Sequence, residues 1–227
     1  MEETIVRYSI VAVVMVYSCI LHEVAHVWSA LKMGDPTGKN EGRLTLHPRP
    51  HFDIFWTFLL PLWTYTFSQF PVGGPKPAPV NPLNFRDPRA GSMLSGLAGP
   101  GMNLLLAAGA LGVLWLLNKF APGWVLPESY NALFLCTIFI FNVFLAALNL
   151  LPVPPLDGSR FLRYLLGPRG DDLLDRIERL GFIPIFVAFY FLGGPIARLV
   201  HPPLVVLLVK LFGYEYAESL LTTYSGR

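Results

Sequence analysis

The chain has 227 residues, of which 53% are hydrophobic and only 14% charged, and its mean hydropathy is +0.50. This composition excludes an ordinary soluble domain and is typical of an integral membrane protein. The formal net charge is +2, and the 17 Lys and Arg residues are spread along the chain, which argues against a nucleic-acid partner.

We expect an all-α polytopic membrane protein that forms a single domain over residues 1–227. A chain of this length can hold about four to six transmembrane or re-entrant segments. The apolar runs predict a first span at 5–33, a short span or re-entrant segment at 53–70, spans at 91–117 and 130–151, and a C-terminal span or broken span at 181–213. After the first helix, the alternating stretch "GRLTLHP" predicts a small β-strand or hairpin.

The first predicted helix contains the sequence "HEVAH". Residues four apart lie on one face of a helix, so His22 and His26 can bind a single metal ion with Glu23 beside them. In this HExxH arrangement the glutamate acts as base on a zinc-activated water. The apolar surroundings favour a metal site, because ionisable side chains inside a membrane are costly unless they are paired or liganded. The alternative is two histidines that hydrogen-bond neighbouring helices and a glutamate that pairs with a cation.

A catalytic zinc needs a third protein ligand. His47, His51 and His201 are candidates, although we expect each to be a surface histidine. Asp157 lies in "PVPPLDG", directly after the proline-rich end of the 130–151 segment. Irregular backbone at membrane depth is tolerated only where it is buried in protein or lines a cavity. An Asp-Gly pair is also typical of a turn or a helix cap, so the residues alone leave the role of Asp157 open.

Three motifs occur in order along the chain: "HEVAH", then "GLAGPGMN" at 96–103, then "NLLPVPPLDG" at 149–158. With them the chain resembles the site-2 protease family of intramembrane zinc metalloproteases, in its compact prokaryotic type without PDZ or CBS domains. The resemblance implies that Zn²⁺ is bound by His22, His26 and Asp157, and that Glu23 is the catalytic base.

The same resemblance implies a role for two asparagines, Asn103 and Asn149, in holding the substrate or the oxyanion. Interhelical hydrogen bonding is the alternative for both side chains. For the substrate itself, we expect an unwound single-span membrane protein to add as a strand to the "GRLTLHP" edge, contacting Arg43, Leu44, Thr45 and Leu46.

The expected activity is hydrolysis of a peptide bond in or near the transmembrane segment of such a substrate, within the lipid bilayer. Two alternatives remain at this stage. The chain could be a transporter or a proton- or ion-conducting protein that uses intramembrane His, Glu and Asp. It could also be a catalytically inactive zinc-binding membrane scaffold.

The distribution of basic residues predicts the orientation of the chain. If segment 53–70 only dips into the membrane, most of the 17 basic residues share one side with the expected active site. The positive-inside rule makes that side cytoplasmic. We therefore expect a multi-pass protein of a prokaryotic cell membrane, with the active site nearer the cytoplasmic face.

Overall fold

The structure, a computed structural model, describes residues 2–59, 62, 66, 74–181 and 183–225. All regular structure in these ranges is helical. The α-helices are α1 Glu2–Lys32, α2 Thr37–Asn40, α3 Pro88–Phe120, α4 Tyr130–Asn149, α5 Gly158–Leu166, α6 Pro168–Glu178, α7 Ile183–Phe212 and α8 Tyr214–Ser225. Short 3₁₀ turns occur at Arg49–His51, Pro82–Asn84 and Pro122–Trp124, and residues Ile54–Leu59 form a π-helical segment.

Three of these helices, α1, α3 and α4, are long and apolar enough to cross a membrane, judged on the part of the chain that the structure describes. They overlap the predicted segments 5–33, 91–117 and 130–151, and they point to an integral membrane protein. The expected total of four to six segments stays a prediction, because half of the residues in 53–70 lie outside the described residues.

Defined capping interactions set the ends of α1 and α3. The N–H of Asp35 donates to the carbonyl of Ala30 at 2.9 Å, and Gly34 has a φ of +111°, a left-handed conformation that glycine adopts at low cost. At the start of α3, the Asp87 side chain accepts hydrogen bonds from the N–H groups of Arg89 and Ala90. The "HEVAH" sequence therefore occupies the last turns of a helix with a fixed end.

Small apolar residues pack α3 and α4 against the C-terminal helices. One buried cluster joins Ala107 and Ala110 of α3 to Phe139 of α4, Leu208 of α7 and Ala217 of α8. Small side chains let helix backbones approach closely, which favours packing in a membrane. Helix α1 packs on both α3 and α4, so the histidine-bearing face of α1 lies against these two helices.

The strand expected over residues 43–47 is not formed. Residues 44–46 are consecutive bends, and the described residues contain no strand. Local side-chain bonds explain this result: the His51 ring donates to the carbonyl of Thr45 at 2.8 Å, and the Thr45 hydroxyl accepts from the N–H of His47 at 3.1 Å. Such bonds offer the backbone an alternative to a strand ladder.

Arg43 also belongs to this loop, and it is 3% exposed. Its guanidinium donates to three main-chain carbonyls, those of Pro50, Lys76 and Pro77. In addition, the N–H of Lys76 donates to the carbonyl of His51 at 2.7 Å. These bonds hold the 43–51 loop against residues 74–81, which have no regular secondary structure and precede α3 in the chain.

Candidate metal centre

Three predicted ligands converge between α1 and the turn before α5. Nε2 of His22 and Nε2 of His26 lie 3.1 and 3.2 Å from Oδ2 of Asp157, and 3.0 Å from each other. The three residues are 6%, 3% and 8% exposed, respectively. No other group of three His, Cys, Asp or Glu residues in the described ranges offers ligand atoms this close together.

The second ring nitrogen of each histidine has a partner on α3. Nδ1 of His26 lies 2.6 Å from the carbonyl oxygen of Ser95, which can only accept, so Nδ1 carries the proton. Nδ1 of His22 lies 2.5 Å from Oδ1 of Asn103, which likewise accepts. In the neutral rings both Nε2 atoms are then unprotonated. The centre is therefore three hydrogen-bond acceptors that face one another.

This arrangement fits a zinc ion. Imidazole nitrogen and carboxylate oxygen are both zinc ligands, and bond lengths of about 2.0–2.2 Å in a tetrahedral site separate two ligand atoms by about 3.3–3.6 Å. The observed separations of 3.0–3.2 Å are slightly shorter. A single proton can link only two of the three acceptors, whereas a cation between them satisfies all three.

Asp157 reaches the histidines because the chain folds back sharply after α4. A Cβ atom at Gly158 would lie 2.3 Å from the carbonyl oxygen of Leu150, closer than real Cβ atoms approach oxygen. Glycine is therefore required after Asp157 for the turn to pack on the end of α4. The "DG" pair thus contributes both the candidate ligand, Asp157, and the turn that presents it.

Helix α3 contacts the opposite side of the centre at Gly99. A Cβ atom at this position would lie 2.4 Å from Nε2 of His26 and 2.6 Å from Nε2 of His22. The backbone of α3 thus forms a wall of the site that only glycine permits. This contact explains why the first glycine of "AGPGMN" is needed, which the sequence alone did not show.

Glu23 lies beside the three ligands and is partly buried. Its carboxylate interacts electrostatically with His22, His26 and Asp157, and the backbone of Ala78 gives it a hydrogen bond. Its Oε2 atom is buried and has no hydrogen-bond partner among the described residues. The alternative interpretation of the sequence expected Glu23 to pair with a cation, but the described ranges contain no ion pair to Glu23. A carboxylate with one unbonded oxygen is able to accept a proton.

The other predicted site residues lie in different surroundings. Asn149 is partly buried, and its amide donates to the carbonyl of Leu145 one turn earlier, at 3.0 Å. His47 is exposed, and His201 is exposed at a cavity of about 560 Å³ between α4, α7 and α8. The expectation that His51 lies on the surface is wrong: it is fully buried, because its ring bonds the Thr45 carbonyl inside the loop.

Sequence reasoning missed a buried polar chain behind His22. The Asn103 amide donates to Oδ1 of Asn142 at 2.7 Å, and the Asn142 amide donates to the Ser18 hydroxyl at 2.8 Å. The sequence could have pointed to Ser18, because Ser18, His22 and His26 follow one another at four-residue spacing and so lie on one face of an apolar helix. No such signal existed for Asn142. The Asn103 side chain, which is 0% exposed, thus makes interhelical hydrogen bonds, and its expected role in holding the substrate or the oxyanion stays a prediction.

Comparisons with known proteins identify the family of this chain. The profile of "Peptidase family M50" matches residues 125–193, which include Asp157. Putative zinc metalloprotease YwhC of Bacillus subtilis is 35% identical over 178 residues, which cover 78% of this chain and 78% of YwhC. Putative zinc metalloprotease Rip2 of Mycolicibacterium smegmatis is 31% identical over 173 residues, covering 75% of this chain and 62% of Rip2.

Rip2 of Mycobacterium tuberculosis is 30% identical over 174 residues, covering 76% of this chain and 63% of that protein. No solved structure matches the chain. The relationship to YwhC extends over more than three quarters of both chains and agrees with the family match. The chain therefore belongs to peptidase family M50, the site-2 protease family.

Proposed function

We propose that this peptidase binds one Zn²⁺ through His22, His26 and Asp157 and hydrolyses a peptide bond in or near the transmembrane segment of a membrane-protein substrate. The observation that carries the proposal is the set of three converging acceptors with both histidine protons held on the far side of the rings. Zinc held by these residues would act as a Lewis acid: it would polarise the scissile carbonyl and lower the pKa of water, so that water can lose a proton and attack the carbonyl near neutral pH.

Glu23 is the general base in this proposal. Its unbonded Oε2 accepts a proton from the attacking water and then delivers it to the leaving amine. The hydrogen bond from the backbone of Ala78 orients the carboxylate. Ala78 lies between two prolines, which lack an N–H, so it supplies the only main-chain donor of the three residues 77–79.

Substrate contacts are proposed at Asn149 and along the 43–46 stretch. Leu44 and Leu46 are 38% and 53% exposed, so their side chains can meet an apolar substrate segment. Arg43 and Thr45 contribute by holding the loop, since their polar groups bond main-chain atoms of the protein. Replacing Leu46 by Ser should raise KM with zinc content unchanged; an unchanged KM would remove this residue from the substrate site.

The proposed location is a prokaryotic cell membrane, with the active site nearer the cytoplasmic face and a single-span protein as substrate. If segment 53–70 only dips into the membrane, most of the 17 basic residues share one side with the site, and the positive-inside rule then makes that side cytoplasmic. Single cysteines placed at the exposed positions Lys39 and Arg179 should both react with a membrane-impermeant thiol reagent only from the cytoplasmic side. Labelling of the two positions from opposite sides would contradict the orientation.

Cleavage of a single-span substrate in detergent by wild type and by Glu23→Gln tests the mechanism and separates it from an inactive zinc scaffold. The amide can hydrogen-bond water but cannot take its proton, so we expect a loss of about 10²–10⁴-fold or more in rate with one zinc per chain retained. Glu128→Gln, at an exposed loop position, is the matched control and should cleave like wild type. Full activity of zinc-loaded Glu23→Gln, or a wild type without zinc, would overturn the proposal.

A further inference from the structure

We infer that Asn142 of α4 is a positioning residue for the metal centre, because it holds the His22 ring in the one tautomer that can bind a metal through Nε2. Asn142 lies two hydrogen bonds away from the ring and touches none of the three metal ligands through the bonds described above. The inference deepens the proposed function and rests on it.

Four buried side chains form a continuous chain of hydrogen bonds across three helices. Ser18 and His22 are on α1, Asn103 is on α3 and Asn142 is on α4, with exposures of 4%, 6%, 0% and 0%. The successive heavy-atom distances are 2.8 Å from Asn142 to Ser18, 2.7 Å from Asn103 to Asn142, and 2.5 Å from His22 to Asn103. Buried polar groups depend on such bonds, because no solvent replaces a lost partner.

A main-chain carbonyl fixes the donor-to-acceptor direction of this chain of hydrogen bonds. The Asn142 amide nitrogen lies 2.9 Å from the carbonyl oxygen of Ile138, which can only accept, so the NH₂ group of Asn142 must point that way. Its oxygen then faces Asn103 and requires the NH₂ group of Asn103. The oxygen of Asn103 consequently faces His22, and Nδ1 of His22 must carry the proton.

The direction matters because a neutral imidazole has one proton for two nitrogens. With the proton on Nδ1, the Nε2 lone pair points at Asp157 and His26. Without Asn142, the Asn103 amide could turn its NH₂ group toward the ring. The proton would then move to Nε2, where it occupies the position of the metal bond. Groups that orient a histidine ligand in this way typically change metal affinity by about 10–100-fold.

The test measures zinc affinity by chelator competition, together with the visible spectrum of the cobalt-substituted protein. Asn142→Leu removes every bond of this side chain, and we expect zinc affinity to fall about 10–100-fold and the cobalt spectrum to shift. Asn142→Ser is the second variant if the first does not fold. Its hydroxyl can still donate to the Ile138 carbonyl but is too short to reach Asn103, so it should also lose affinity.

Thr137→Val is the matched control, because Thr137 is buried on the same helix and also donates to the carbonyl one turn earlier, that of Leu133 at 2.7 Å. It should bind zinc like wild type. In an Asn103→Leu background, Asn142→Leu should cause no further loss, since its effect passes through Asn103.

The outcomes separate this inference from the proposed function. A wild type that binds no zinc would overturn the proposed function and the inference with it. A wild type that binds zinc, with both Asn142 variants equally tight, would overturn the inference alone. The inference would also be overturned if Thr137→Val lost as much zinc affinity as the Asn142 variants. It would equally be overturned if the fold-losses of Asn103→Leu and Asn142→Leu multiplied in the double variant.

Discussion

Two buried aspartates in this protein have opposite surroundings. Asp35, after the end of α1, is 1% exposed and accepts four hydrogen bonds: from the N–H and the hydroxyl of Thr37 at 3.1 and 2.5 Å, from the N–H of Asn81 at 2.7 Å, and from the amide of Asn84 at 2.8 Å. Asp157 is 8% exposed, and its Oδ2 faces two nitrogen lone pairs. Burial alone does not distinguish them; the number of donors around each carboxylate does.

The difference separates a structural carboxylate from a proposed metal ligand. Burial tends to raise the pKa of Asp35, but the hydrogen bonds from Asn84, Thr37 and Asn81 outweigh it and bring the pKa below its ordinary value of 3.8. The protein itself therefore stabilises this negative charge, which ties residues 81–84 to the end of α1. Among the described residues, Asp157 has no comparable set of donors, as expected for a carboxylate that binds a cation.

The largest expected effect is that of Asp157→Asn. The amide weakens the ligand and brings an NH₂ group that can donate to an Nε2 atom, so zinc binding should be lost while the metal-free protein becomes more stable. Metal analysis and thermal unfolding of the metal-free forms check both halves. If metal-free Asp157→Asn unfolded more readily than metal-free wild type, the contrast between the two aspartates would not hold.

The next effect concerns the wall of the centre, at Gly99. The added methyl of Gly99→Ala would press on both Nε2 atoms, and we expect zinc affinity to fall by about 10–100-fold. Gly101→Ala is the control on the same helix, since a Cβ there has nothing within 4 Å. That variant should bind zinc normally. Equal affinities for the two alanine variants would show that α3 does not limit the space at the metal.

A smaller effect is expected at the structural carboxylate. In Asp35→Asn an NH₂ group must face at least one donor that now points at oxygen, so the free energy of unfolding should fall by about 1–3 kcal/mol. Zinc stoichiometry should stay at one per chain, because the Asp35 loop contributes no ligand. Denaturant or thermal unfolding gives the first quantity and metal analysis the second; loss of zinc in this variant would contradict the separation of roles.

The pH dependence gives the finest test of the comparison. Because the pKa of Asp35 is lower in the folded chain than its ordinary 3.8, its contribution to stability is fully present above about pH 5 and is lost as the pH falls through the folded value. The stability difference between wild type and Asp35→Asn should thus be constant from pH 7 to about 5 and shrink below pH 4. A difference that grew with acidity would contradict the sign of the shift.

Sequence reasoning was most successful where one helix contains the whole pattern. The positions of α1, α3 and α4 follow from apolar runs of sufficient length, and the pairing of His22 with His26 follows from their spacing on one helix. Asp157 needed the family resemblance, since an Asp-Gly pair after prolines is equally typical of a turn. The structure shows that it is a turn and that the Asp157 side chain lies 3.1 and 3.2 Å from the Nε2 atoms of His22 and His26.

The failures have a different physical origin. The period-2 pattern at 43–47 predicted a strand. A strand forms only if a neighbouring strand accepts and donates its backbone hydrogen bonds, and a local pattern does not show whether that neighbour exists. Here the carbonyl of Thr45 bonds the His51 ring instead. Asn142 was missed for a similar reason: an asparagine on an apolar helix is unremarkable until its neighbours on α1 and α3 are known. Tertiary contacts decide both cases.

The carbonyl of Ile138 has a consequence for how mutations can affect this enzyme. Every amino acid has a main-chain carbonyl, so the group that sets the direction of the hydrogen-bond chain persists whatever side chain occupies position 138. A mutation can therefore disrupt this chain of hydrogen bonds only by replacing one of the side chains that form it. A saturation screen should therefore find position 138 permissive among residues that keep α4 helical and positions 103 and 142 restrictive, although all three belong to one network.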